Sequence, residues 1–354
     1  MSRPKGSRNK KEEVPLSEES KKLVDKGLQE AKEGQIERGS GNIFKDIGCE
    51  NPDKLLKEAE EKSKPELTKE QIERKNKLKE TMRELNKEGK GVINFADTIE
   101  VRERQSFGYK SIDKLTGGGI VRGNCSVIWG SKGCGKTTIA LKLIATAQKE
   151  GKIAAYLDVE RSYDPIWAKK FGVDTENLVY VVCPDAESVL DTVIKLCKEK
   201  LVDIIVLDSV QGLSPHGEQY EGKAEKERSV QDDSMALLAR KLSQFFRMAI
   251  PYISDAQCAL LLIGQARMDL GSFIKVETLS GGHALMHNSR LILRVRRGQG
   301  ADAPVEKVKD NDGKTVTNKL GFDLVIHVNK SQIQGCIEGN EIHLPFLFQF
   351  GIDE

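Results

Sequence analysis

The chain carries almost no net charge: 56 basic residues stand against 54 acidic ones, leaving +2 over 354 residues. No global field therefore draws it to a polyanion, and any nucleic-acid contact has to come from local patches. Cysteine is sparse and scattered (Cys49, Cys125, Cys134, Cys183, Cys197, Cys258, Cys336), with no C-x-x-C pair. That spacing offers no zinc site and reads as a reduced, intracellular pattern. Long apolar runs are missing as well: nothing reaches the length of a membrane span, and no apolar h-region follows the start. Glu12 and Glu13 come too early for a transit peptide. No repeat at solenoid spacing is present. The expectation is a soluble protein of the cytoplasm or nucleoid with no membrane partner.

What is there falls into three parts. Residues 1–65 are polar, charged and poor in aromatics, the composition of a largely disordered arm. Its first eleven residues hold Arg3, Lys5, Arg8, Lys10 and Lys11 and no acid. The run Ser2-Arg3-Pro4-Lys5-Gly6-Ser7-Arg8 resembles part of an AT-hook, lacking the first Gly of the Gly-Arg-Pro centre; a generic basic tail is the alternative. Residues 66–98 follow. Leu67, Ile72, Leu78, Met82 and Leu85 fall loosely on one side of a Lys- and Glu-rich helix spanning 66–88, and Gly91 to Ala96 is a short strand candidate. This segment either packs on its own core or docks on a neighbouring subunit. From residue 99 to 354 the pattern is α/β. Apolar strands at 153–159, 204–207 and 259–263 alternate with helical patterns at 165–171, 186–200 and 234–250, which predicts a parallel sheet covered on both faces. Beyond 289, strands at 290–297, 305–309, 322–328 and 346–350, with a turn at Asp312-Gly313, read as an antiparallel extension.

One stretch organises this third part. Gly130-Ser131-Lys132-Gly133-Cys134-Gly135-Lys136-Thr137 fits the phosphate-loop pattern of Gly, four residues, Gly-Lys-Thr. An apolar strand (Val127, Ile128, Trp129) precedes it, and Ile139, Ala140, Leu143, Ile144 and Ala147 recur after it at helical spacing. A phosphate chain needs backbone N–H donors converging on it at the positive end of a helix, and glycines permit that approach. Lys136 is expected to reach the β- and γ-phosphates of ATP, with Thr138 beside it, and the Thr137 hydroxyl to sit on Mg²⁺.

In open α/β sheets ligands bind at the carboxyl ends of the strands. Glu160, Asp208 and Gln265 each end an apolar strand there. Asp208 is placed in the Mg²⁺ shell, mostly through water. Glu160 has the length and charge to position an attacking water, and Gln265 to contact the γ-phosphate and report it onward. For Glu160 and Gln265 the competing reading is a helix cap.

With these residues in hand, the chain from about 90 to 350 resembles the core of the RecA-family recombinases, with a flavour of bacteriophage members. The resemblance rests on Phe107-Gly108-Tyr109-Lys110-Ser111-Ile112-Asp113, Gly117-Gly118-Gly119-Ile120, the phosphate loop, Leu157-Asp158-Val159-Glu160, the run from Asp164 to Val173, Leu207-Asp208-Ser209-Val210 and Gly264-Gln265-Ala266-Arg267-Met268. It implies a DNA-dependent ATPase that forms a helical filament on single-stranded DNA and exchanges strands with double-stranded DNA. A single-stranded-DNA-binding protein and a loading mediator would be further partners, and an infected cell's cytoplasm its location if the source is viral. Residue by residue, it implies that Glu160 is the catalytic glutamate and that Asp164 and Trp167 hold the adenine. Trp167 stands where Tyr is more usual, and a core anchor is its alternative role. The first DNA-binding loop corresponds to Gly212–Asp233 and leads into Met235, Arg240, Ser243, Gln244 and Arg247. Steps of three and four place Arg240, Ser243 and Arg247 on one helix face. The second loop corresponds to Ala266–Gly282, with Arg267, Ser280, Gly281, Gly282 and His283 towards phosphates and Leu270 and Phe273 as intercalating or stacking residues.

The chain also departs from the family pattern. Of two lysines that reach the next subunit's γ-phosphate, only Lys330 is present; Val328 occupies the other place. Asp269 stands in the second loop where Lys is common, and the sequence stops soon after the last core strand, without the family's duplex-gathering carboxyl-terminal domain. An accessory paralogue without strand exchange, a ring-shaped helicase motor and a DNA-coating protein are the competing readings.

Overall fold

The computed structural model describes residues 68–87, 96, 101–216, 220–221, 226–227, 235–268, 277–279, 283–298, 304–309 and 315–354. The basic arm, the strand candidate at 91–96 apart from Ala96, which is not in a strand, and the turn at Asp312-Gly313 lie outside the described residues. The chain divides into two units, Met1–Ile99 and Glu100–Glu354.

In the first unit, helix α1 spans Lys69–Lys87. Its start is written in the sequence Thr68-Lys69-Glu70-Gln71. The Thr68 N–H donates to Gln71 Oε1 at 2.9 Å, and the Gln71 N–H donates to Thr68 Oγ1 at 3.3 Å. This reciprocal capping box satisfies two backbone donors that a helix start leaves without partners. Ile72, Leu78 and Leu85 are exposed along the helix.

In the second unit the elements follow in order: β1 (Arg104–Gln105), α2 (Lys110–Thr116), β2 (Ile120–Val121), β3 (Cys125–Gly130), α3 (Lys136–Lys149), β4 (Ala154–Asp158), α4 (Pro165–Lys170), β5 (Leu178–Val181) and α5 (Ala186–Lys198). Then come β6 (Ile204–Asp208), β7 (Tyr220–Glu221), β8 (Lys226–Glu227), α6 (Met235–Asp255), β9 (Ala259–Met268), β10 (Glu277–Leu279), α7 (His283–Asn288) and β11 (Ser289–Arg297). The chain closes with β12 (Val305–Lys309), β13 (Thr315–Lys319), β14 (Gly321–Ser331), β15 (Glu341–Leu347) and β16 (Gly351–Ile352). A ten-stranded sheet runs β16-β15-β14-β11-β3-β9-β6-β4-β5, with β10 added on β9. From β11 to β5 every neighbouring pair is parallel; from β11 to β16 every pair is antiparallel.

Strand residues alternate between the two faces, and here both faces are covered. Ile128, Tyr156, Ile204 and Val206 face one apolar cluster with Ile139 and Leu143 of α3. Val127, Trp129, Ala155, Leu157, Ile205 and Leu207 face the other, with Val189 and Val193 of α5 and Phe246 of α6. This double burial explains why the strands read as continuous apolar runs.

Several elements differ from the sequence expectation. β11 is not the start of the antiparallel extension, because it pairs parallel with β3, Leu293 opposite Ile128. The extension begins at β14. β12 is not in the main sheet: it pairs with β13 as a separate ribbon, Val308 opposite Val316. The strand placed at 346–350 is instead β15, ending at Leu347, followed by a turn and β16. β5 has no counterpart in the expectation; it is only four residues long and its residues are half-buried or exposed, although its sequence, Leu178-Val179-Tyr180-Val181, is apolar throughout.

Candidate nucleotide site and polynucleotide face

The register lines up the strand ends. Asp158 lies opposite Asp208, and Gly130 lies between Gln265 of β9 and Val295 of β11. At this rim the chain leaves β3 through the glycine loop and enters α3. Gly135 at the helix start has φ 89°, a left-handed conformation that other residues adopt only at a cost. Gly133, Cys134, Gly135, Lys136, Thr137 and Thr138 line a cavity of about 220 Å³ with Phe346 of β15. Lys136 is nearly buried, and its ammonium donates to Gly130 O at 3.0 Å and Ser131 O at 2.8 Å. The Cys134 thiol donates to Ser131 O at 2.9 Å, and burial pushes its pKa up, so it is a loop-closing group and not a nucleophile. Lys132 is exposed at the loop tip.

Around the loop, the carboxylates are held by specific donors. The Thr137 hydroxyl donates to Asp208 Oδ2 at 2.7 Å, and the Tyr156 hydroxyl donates to the same oxygen at 2.9 Å. Burial raises the Asp208 pKa, and the two hydroxyls oppose that shift. The Tyr156 phenol is raised far above its ordinary value by burial and then by Asp208, so it remains a donor. The set of hard oxygens at Thr137 and Asp208, beside a backbone cradle for phosphates, fits a magnesium nucleotide. Glu160 Oε1 accepts from Ser209 Oγ and from Gln265 Nε2. Gln265 is tied in turn through its backbone N–H, which donates to Gln211 Oε1 at 2.6 Å. Glu160 and Gln265 are thus brought together and face each other.

Asp164 is the N-cap of α4: its Oδ1 accepts from Ile166 N at 2.8 Å and Trp167 N at 3.2 Å. The Trp167 ring meets Phe171 edge-on at 4.9 Å and packs against the core, with the Lys170 ammonium 5.3 Å from its centroid. Asp164→Ala is therefore expected to lower stability by about 1 kcal/mol. Asp164→Asn, which keeps an acceptor at the cap, should lose only a few tenths. Urea unfolding of both variants checks the pair. Equal losses would show that the cap contributes nothing.

Lys330 is not beside this loop within the chain. It pairs with Ile292, which lies opposite Val127, towards the amino-terminal end of β3, and its ammonium donates to Met286 O at 2.6 Å and His287 O at 3.3 Å.

On α6, Arg240, Gln244 and Arg247 are exposed, while Leu242, Phe245 and Phe246 are buried. The Ser243 hydroxyl turns back to Ala239 O at 2.8 Å. Met235 opens the helix. The second loop starts later than expected: β9 continues to Met268, and Ala266, Arg267 and Met268 pair with Leu279, Thr278 and Glu277. An ion pair of 2.9 Å between Glu277 and Arg294 fixes this ribbon to β11. Arg267 and His283 are exposed at its two ends. Leu270, Phe273, Ser280, Gly281 and Gly282 lie outside the described residues.

Several contributors carry no local sequence signal. Phe346 lies under Gly135, Arg297 donates to Gly133 O at 2.8 Å, and Tyr156, Ser209 and Gln211 support the acid and amide groups. Each reads in sequence as an ordinary strand or turn residue.

A phosphate loop on a central parallel strand, with Gln265 on the adjacent strand β9 and Asp208 ending β6 one strand further on, defines a P-loop ATPase core. The family model described as the RecA N-terminal domain matches residues 76–344. Protein RecA of Nostoc sp. (strain PCC 7120 / SAG 25.82 / UTEX 2576) is 35% identical over 263 residues, covering 70% of this chain and 71% of that protein. The chain belongs to the RecA family of recombinase ATPases. Among the described residues, no helix is long and apolar enough to cross a membrane.

Proposed function

We propose that the protein is a DNA-dependent ATPase that assembles as a helical filament on single-stranded DNA and promotes pairing and strand exchange with duplex DNA in the cytoplasm. One observation carries the reading. Gln265 is bonded to Glu160 at the nucleotide rim, and two residues later the same strand presents Arg267 in the ribbon that opens into the second loop. A single rigid strand therefore links the hydrolytic group to the polynucleotide face, the kind of element that carries a switch.

In this reading the loop N–H groups and Lys136 bind the β- and γ-phosphates, and Thr137 and Asp208 hold hydrated Mg²⁺. The metal supplies charge stabilisation to the transferring phosphoryl group. With Ser209 and Gln265 both donating to Glu160 Oε1, Oε2 is left to accept a proton from the attacking water. Asp164 and Trp167 border the adenine. The exposed apolar stripe of α1 suits docking on the next protomer, where Lys330 would approach its γ-phosphate. A single-stranded-DNA-binding protein and a loading mediator are the further partners this assembly needs.

Oligonucleotide affinity measured without nucleotide, with ADP and with a non-hydrolysable ATP analogue tests the coupling. The analogue should tighten binding by at least about tenfold, a coupling within the usual allosteric range. Equal affinity in all three states removes the proposal. On the polynucleotide face, Arg240→Ala and Arg247→Ala should each flatten the dependence of log affinity on log salt by about 0.7, the value for one phosphate contact on a single strand. A slope unchanged in both variants would remove α6 from the interface.

An accessory role without strand exchange is the second reading, favoured by Val328. That residue is fully buried in β14, so the chain presents only Lys330 there. A strand-exchange assay on the wild type separates the two.

A further inference from the structure

We propose that Tyr156 is a positioning residue for the metal, its hydroxyl fixing the Asp208 carboxylate so that Oδ1 faces the hydrated Mg²⁺ that accompanies the nucleotide. The inference rests on the reading of Thr137 and Asp208 as the groups that hold that ion.

The packing of Tyr156 does not call for a hydroxyl. The ring is fully buried in the cluster formed by β3, β4, β6 and α3, where phenylalanine would fill the same space. A buried phenol has to find a partner, and this one reaches past its own strand to the carboxylate that ends β6, at 2.9 Å. Asp208 is itself 4% exposed, so its orientation is set by protein donors rather than by water. Thr137 provides one of them. That hydroxyl also has to present its oxygen to the metal, so its single proton is a movable restraint. Tyr156 adds a second restraint whose ring cannot move, since it is packed 5.2 Å from Tyr163, which in turn lies 5.2 Å from Tyr180. With both donors on Oδ2, the plane of the carboxylate is defined and Oδ1 is directed to the ion's water shell. Tyr180, half-exposed where Tyr156 is buried, makes the equivalent bond to Asp158 Oδ2, also at 2.9 Å, which is not among the metal's groups and so provides a control in the same aromatic row.

The test uses the full chain with a saturating non-hydrolysable ATP analogue and Mn²⁺ in place of Mg²⁺, bound ion being counted by electron paramagnetic resonance. Tyr156→Phe is expected to weaken Mn²⁺ binding about tenfold, the scale of one hydrogen bond to a charged group. Metal-free nucleotide affinity should stay at the wild-type value, and Tyr180→Phe should bind the ion as the wild type does. Unchanged Mn²⁺ affinity in Tyr156→Phe, or equal weakening in both variants, overturns the role of Tyr156 alone. A wild type whose nucleotide binding ignores the metal overturns the reading of Thr137 and Asp208 as well. A second measurement needs no variant: the Tyr156 hydroxyl proton, followed by NMR in tyrosine-labelled wild type, should remain protected from exchange when the metal nucleotide binds. Loss of that protection means that the bond breaks on loading, and the proposal fails.

Discussion

Glu160→Gln is expected to lower ATP turnover on single-stranded DNA by about 10²- to 10⁴-fold, the usual worth of a positioned general base. The substitution keeps the shape of the side chain and leaves an oxygen for Ser209 and Gln265, the two donors that hold Glu160 Oε1. What it removes is the negative charge and the ability to take a proton from water. In the proposed reading nucleotide binding depends on the glycine loop, Lys136 and the Thr137–Asp208 pair, none of which the change touches. The variant should therefore bind the ATP analogue and DNA as the wild type does and fail only in turnover. Steady-state phosphate release, read beside fluorescent-analogue binding, makes the comparison. Turnover within about threefold of wild type, far below the contribution of a general base, would exclude Glu160 as the base.

The second large effect falls on stability. A Cβ built on Gly130 lies 1.8 Å from Val295 O and 2.9 Å from Val295 C, both backbone atoms of the neighbouring strand. A flexible side chain can move away from such a contact, but β11 is bonded along its length to both β3 and β14. Relief requires parting β3 from β11 at the rim where the phosphate loop begins. Gly130→Ala is thus expected to cost on the order of 4 kcal/mol or more, in the range reserved for disruption of a packed interior. Gly151→Ala is the control. Its φ of 78° is left-handed, yet nothing lies within 4 Å of the added atom, so only the conformational cost of about 1–2 kcal/mol applies. Urea midpoints at constant slope report both. If the Gly130 variant lost no more than the Gly151 variant, the close approach of the two strands would carry no energetic weight.

The candidate site was legible in sequence where its parts are contiguous or end a strongly apolar strand. The phosphate loop follows β3 and Asp208 ends β6 as the pattern puts them, because a buried parallel strand stops where polar residues begin, whereas Glu160 lies two residues past the end of β4 and Gln265 lies inside β9. Legibility failed where pairing is decided across the chain. β9 carries on beyond Gln265 because β10 covers it, and nothing in Ala266-Arg267-Met268 by itself distinguishes a ribbon from a loop. β11 pairs parallel with β3 on one edge and antiparallel with β14 on the other, since the pattern of apolar residues fixes the face a residue points to and not the direction of its neighbour.

What the sequence by itself determined is local. Thr68 and Gln71 close the start of α1, Asp164 and Asp185 cap their helices, and the glycines admit the turn into α3. In each case the interacting atoms lie within a few residues, and backbone sterics with one or two hydrogen bonds suffice. Tertiary structure alone decided which distant groups share an oxygen. Tyr156 and Thr137 meet on Asp208 Oδ2, Ser209 and Gln265 meet on Glu160 Oε1, and Phe346 closes the floor beneath Gly135. The order of strands in the sheet brings these partners together, and that order follows from burying two helical layers at once, a global condition that no short stretch of sequence expresses.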